Sequence, residues 1–90
     1  MATKFGHWRI HAGVHVAVDG ESLLLLSPKG EYFGLDDTAA EIWRALEQGR
    51  LEEVASKLSN NAAVPLETVC TDIRNFLTDL NGAGLLEKQP

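Results

Sequence analysis

Ninety residues provide for one domain and not for two, and a 44% apolar share is that of an ordinary globular chain with a modest core. Eight basic against thirteen acidic residues give a net charge of −5, without the clustered basic face that neutralises nucleic-acid phosphates. One cysteine, Cys70, excludes an internal disulfide framework, and no apolar run reaches the roughly 18 residues of a membrane span.

Met1–Arg9 reads as a flexible N-terminal arm, with Trp8 the residue able to tuck it onto a body spanning 10–87. Its start, MATKFGHWRIH, lacks the apolar core of a secretory signal, and with the lone cysteine the expected compartment is the reducing cytoplasm. From Ile10 to Val18 apolar side chains alternate with His11, Gly13, His15 and Ala17, the pattern of a half-buried strand. Asp19-Gly20 follows as a tight-turn pair that sets Val16 opposite Leu23 and Val14 opposite Leu25. Leu23–Leu26 is apolar on both faces, so both are expected to be covered. Ser27–Gly30 makes the next turn, with Pro28 pre-setting one position and Gly30 supplying a positive φ. A third strand, Glu31–Leu35, completes an antiparallel meander in which Leu25 faces Tyr32 and Leu24 faces Phe33.

Three helices follow. The first runs from about Asp37 to Glu47. Asp36, Asp37 and Thr38 each offer an N-cap, Thr38 with Glu41 fits a capping box, and Gly49 supplies the stop. Ala39, Ile42, Trp43 and Leu46 face inward. The second spans about Glu52 to Ser59 with Val54, Ala55 and Leu58 inward, and Asn60–Val64 links it to the third. Pro65 fits the first helical position, and the third helix continues to about Asn81 with an apolar stripe of Val69, Ile73, Phe76, Leu77 and Leu80. Gly82 ends it, and Gly84-Leu85-Leu86 returns to the core before a polar tail. The acidic pairs Asp36–Asp37 and Glu52–Glu53 both begin helices, where carboxylates suit the macrodipole.

Little in the chain suits chemistry. His7, His11 and His15 recur every four residues, but on a strand four residues span about 13 Å, too far for one metal ion. Cys70 has no CxxC partner, and Gly82-Ala83-Gly84 closes a helix instead of opening one around a phosphate. The expectation is a protein with no catalysis of its own, no metal and no cofactor. What remains is shape. A meander ending at Glu31–Leu35 leaves that strand on an edge, and Tyr32-Phe33-Gly34 carries no lysine or proline to blunt it. Such an edge suits strand addition by an extended peptide; the pattern equally allows Tyr32 and Phe33 simply to complete the core.

Residues 23–86 resemble the PqqD-like family, also called RiPP recognition elements. The resemblance is carried by GEYFGL, by LDDTAAEIW, by the charged short helix LEEVASKL, by the proline-started long helix and by the closing LNGAGLL. Asp36 stands where the family commonly has asparagine, a change that keeps a good cap. The resemblance implies an α+β, winged-helix-like fold: a three-stranded antiparallel sheet followed by three helices. It also implies binding of the leader of a ribosomally made precursor peptide, which adds to the third strand and lies against the third helix. On this sequence that surface is Glu31, Tyr32, Phe33, Gly34 and Leu35 with Val69, Asp72, Ile73 and Phe76. The free-standing size and the YFGLD segment are most similar to lasso-peptide versions, whose partners are a leader protease and a macrolactam synthetase. The near alternative is a PqqD-type peptide chaperone serving a radical-SAM enzyme. From other classes come a structural subunit stabilising an enzyme and a winged-helix DNA-binding regulator. The last would need a basic third helix, but Pro65–Asn81 sets Arg74 alone against Glu67, Asp72 and Asp79. Neither nucleic acid nor membrane is an expected partner.

Overall fold

The structure, a computed structural model, describes residues 4–89. Its elements are β1 (Trp8–Ile10), β2 (His15–Asp19), β3 (Ser22–Leu26), β4 (Tyr32–Leu35), α1 (Asp37–Gln48), α2 (Leu51–Ala62), α3 (Leu66–Gly82) and β5 (Leu86–Lys88). β2, β3 and β4 form an antiparallel meander followed by the three helices, the expected α+β architecture. A second, two-stranded ribbon pairs β1 with β5, Trp8 opposite Lys88 and Ile10 opposite Leu86.

That ribbon changes the expected start and finish of the chain. Residues 1–3 of the expected arm lie outside the described residues. Trp8 and Arg9 form part of a strand, Phe5 is buried in the core, and the indole N–H of Trp8 donates to the Phe5 carbonyl at 2.5 Å. The polar tail supplies the partner strand. The single strand expected over Ile10–Val18 is two strands, because the chain turns at 11–14: Val14 N–H donates to the His11 carbonyl (3.0 Å) and Gly13 N–H to His11 Nδ1 (3.0 Å). A β-carbon on Gly13 would sit 3.2 Å from Pro28, a crowded contact that glycine avoids.

Both hairpin registers differ from expectation. Asp19 pairs with Ser22, so the two-residue loop is Gly20-Glu21, with a positive φ at Gly20 alone, the glycine-first arrangement of a type II′ turn. Val16 therefore faces Leu25 and Val18 faces Leu23, a shift of two that keeps each side chain on its expected face. The second hairpin shifts by one, and that reverses faces: Leu25 pairs with Phe33, Leu26 with Tyr32 and Leu24 with Gly34. Ser27 is the cause. Its buried Oγ accepts the N–H groups of Lys29 (3.2 Å) and Glu31 (3.1 Å), closing a five-residue loop where four residues were expected. Nor are both faces of β3 covered. Leu23 and Leu25 are buried, but Leu24 on the other face is 39% exposed.

The core joins the inner face of β3 and β4 to the helices: Trp43, Leu25, Leu77 and Leu85 are wholly buried, with Ile73 and Leu86 nearly so. Helix α1 packs on β3 and β4, and α3 packs on α2 and β5. Of the three offered caps, Asp36 is used, its Oδ1 accepting Ala39 N–H at 2.9 Å. Gly49 takes a left-handed conformation, and Arg50 N–H donates to the Ala45 carbonyl at 2.7 Å, a Schellman ending. Within α1 the buried set is Ala40, Ile42, Trp43 and Ala45, whereas Ala39 and Leu46 are half-buried. Helix α2 runs three residues into the expected linker and ends on Ala63 at φ 52. Pro65 caps α3 from just outside it, one residue earlier than expected.

Candidate functional site: the free edge of β4

β4 has one neighbour in its sheet, β3, which leaves its other edge free among the described residues. Which backbone groups lie on that edge follows from hydrogen-bond alternation. The Asp19–Ser22 pair closes a two-residue loop and so exchanges both of its hydrogen bonds. Counting along β3 in twos, Ser22, Leu24 and Leu26 direct their backbone groups at β2, and Leu23 and Leu25 direct theirs at β4. Their partners Leu35 and Phe33 therefore point N–H and C=O inward. The 2.8 Å bond from Ser27 N–H to the Glu31 carbonyl continues the same phase. Tyr32 and Gly34 are left pointing N–H and C=O at the free edge, and neither N–H has a partner among the described residues.

The expected site residues divide by burial. Leu35 and Ile73 are buried in the core. Phe33 on the strand and Val69 and Phe76 on α3 are half-buried, all packed against that same core. Glu31, Tyr32, Gly34 and Asp72 are exposed, Tyr32 by 67%. Of the two readings open for the aromatic pair, each holds for one ring: Phe33 joins the inner face and Tyr32 stays outside, because Phe33 pairs with buried Leu25. Sequence reasoning omitted Leu66, 37% exposed at the start of α3, although its spacing of three from Val69 extends the stripe. Ser27 was also missed as the residue that fixes the edge; its signal was a serine opening a turn.

The perturbed ionisable groups lie elsewhere. The hydrogen bond to Glu41 (2.7 Å) raises the Lys57 ammonium, joining α1 to α2. Glu87 is held below the ordinary glutamate range, first by its hydrogen bond from Arg9 across the β1–β5 ribbon. Among the described residues no group of three or more His, Cys, Asp and Glu is placed to hold a metal ion. His7, His11 and His15 do not share one continuous strand, because His11 sits in the turn between two. Its Nδ1 accepts from Gly13, so the neutral ring carries its proton on Nε2, 3.6 Å from Glu87. Cys70 is buried. On α3, Arg74 remains the only basic residue, and no helix among the described residues is long and apolar enough to cross a membrane.

Comparison with curated proteins gives no match. Two solved structures overlie most of the chain. One, described as "TbiB1 in Complex with the TbiA(beta) Leader Peptide", is 36% identical with a TM-score of 0.80, covering 91% of this chain and 98% of its own. Another, "Lasso peptide synthetase B1 complexed with the leader peptide", is 30% identical with a TM-score of 0.81, covering 91% and 99%. The model of the family described as "Coenzyme PQQ synthesis protein D (PqqD)" matches residues 15–86, the span from β2 to the start of β5. The chain belongs to the PqqD family.

Proposed function

We propose that this protein binds the leader segment of a ribosomally made precursor peptide as an added strand on β4, and delivers it to a leader protease and a macrolactam synthetase of a lasso-peptide pathway. The observation that carries the reading is the pair of outward backbone donors at Tyr32 and Gly34, in a chain so similar to two proteins solved with leader peptides. An extended leader would pair its main chain with those groups, and main-chain bonds would give affinity with little regard to sequence. Selectivity then falls to alternate leader side chains, which turn toward Phe33 and the Val69–Phe76 flank of α3, with Asp72 at its rim. The protein holds and presents the peptide; bond-making belongs to its partners, in the cytoplasm where precursors are made. A second reading gives the same grip another recipient, a radical-SAM enzyme, as the likeness to a coenzyme PQQ synthesis protein implies.

Titration of labelled protein with leader peptides of lasso-type precursors tests the grip. Amide shifts are expected at 31–35 and along α3, and Phe76→Ala or Asp72→Lys should weaken binding. Shifts confined to β2 would put the peptide on the other edge of the sheet. Co-purification with a protease and a synthetase, against co-purification with a radical-SAM enzyme, separates the two recipients.

A further inference from the structure

The sheet has a second free edge, and its sequence is self-complementary. We propose that β2 pairs antiparallel with the β2 of a second copy of this chain, about a two-fold axis through Ala17. By the same alternation, His15, Ala17 and Asp19 spend their backbone groups on β3. Val16 and Val18 point theirs outward, without partners among the described residues. All five residues of β2 are exposed, and no lysine, proline or helix blunts the strand.

Val16 and Val18 share a face with buried Leu25 and Leu23, yet they are 44% and 70% exposed, because the helical layer stops short of β2. The occupant is identified by the order His-Val-Ala-Val-Asp. Centred on Ala17, antiparallel pairing sets Val16 opposite the partner's Val18 and His15 opposite the partner's Asp19, twice over. Four outward backbone groups on each strand find partners, four valines close into one apolar cluster, and each imidazole meets a carboxylate. The two-fold stands normal to the sheet, so the two sheets merge into one of six strands with both β4 edges at its outer ends. Leader binding and pairing therefore do not compete. A contact of five residues per copy is small, so the association is weak and reversible, expected between about 10 µM and about 1 mM.

Sedimentation of the purified full chain across that concentration range is the test, using variants at exposed positions. Wild type should pass from monomer to dimer and no further. His15→Asp sets two carboxylates opposite two others and should weaken the dimer by about tenfold. The swap of His15→Asp with Asp19→His should restore it, since the pairs are the same in reverse. Ala17→Cys should cross-link two copies under mild oxidation, because residues opposite each other at a non-hydrogen-bonded position stand about 4.5 Å apart at Cα, within disulfide reach. Glu21→Cys, in the hairpin loop, should not. A wild type that stays monomeric throughout, a dimer indifferent to His15→Asp, a swap that fails to restore it, or Glu21→Cys cross-linking as fast as Ala17→Cys would each overturn the proposal.

Discussion

Replacing Gly34 by proline separates the free edge of β4 from the bonded one. Gly34 N–H points away from β3, so proline removes no bond of the sheet. A β-carbon built there meets nothing within 4 Å, and Gly34 is not among the glycines with positive φ. The preceding residue, Phe33, is already extended, as a residue before proline prefers. The fold should therefore persist, its cost being the shift of φ toward the roughly −65° that proline fixes, about 1 kcal/mol or more. Leader binding should suffer more. The leader carbonyl that Gly34 N–H would serve loses its donor on the inner side of the added strand, and the ring intrudes on the incoming strand. One such loss is worth about 1–3 kcal/mol, or roughly 5- to 150-fold in Kd. Gly34→Ala keeps the N–H and should bind like wild type. Phe33→Pro deletes a donor that bonds Leu25 at the centre of the sheet, and should cost the fold about 3 kcal/mol or more. Urea melts and calorimetric titration of the three variants measure both quantities. A folded Gly34→Pro protein that binds leader as tightly as wild type would refute strand addition to β4.

Trp43 is wholly buried, so Trp43→Ala should destabilise by about 3–5 kcal/mol in urea melts. Ala63 ends α2 in the left-handed region, where a β-carbon costs about 1 kcal/mol, so Ala63→Gly should raise stability by roughly 0.5–1 kcal/mol in the same melts. Glu87 has its folded-state pKa lowered, chiefly by the hydrogen bond from Arg9; desolvation opposes this, and the charges of Arg9 and His11 add to it. The stability it lends is complete above the ordinary glutamate value of the unfolded chain and is lost as pH falls through the lower folded value. Trp8, at the end of the same ribbon, should report loosening of β1 from β5 by fluorescence in that acid range, and Arg9→Ala should reduce the dependence to the smaller part that His11 supplies.

Where a local signal was complete, the sequence was enough to place an element. α1 has a cap at Asp36, a stop at Gly49 and a clear inward face, and its bounds came out within a residue or so. The meander and its edge strand were legible for the same reason: apolar alternation broken by Gly20 and Gly30. Register was not, because it turns on which atoms close each loop. Ser27 Oγ accepting two backbone donors adds a residue to the second loop, and that one residue moves Phe33 from beside Leu24 to beside Leu25. The β1–β5 ribbon was illegible, since three-residue strands carry no period and Trp8 meets Lys88 across nearly the whole chain. Of the candidate site, the place of the third meander strand at a sheet edge was readable from the meander pattern. That Ile73 and Leu35 are buried while Phe33, Val69 and Phe76 are half-open depends on tertiary packing, which no local pattern encodes.

Amide hydrogen exchange along β4, with and without leader peptide, is the most direct test of the account. In the free protein Phe33 and Leu35 should exchange slowly, being bonded to β3, and Tyr32 and Gly34 should exchange fast. With leader present Tyr32 and Gly34 should become slow, giving protection at every residue of the strand. Protection appearing instead at Val16 and Val18 of β2, with Tyr32 and Gly34 still fast, would contradict it.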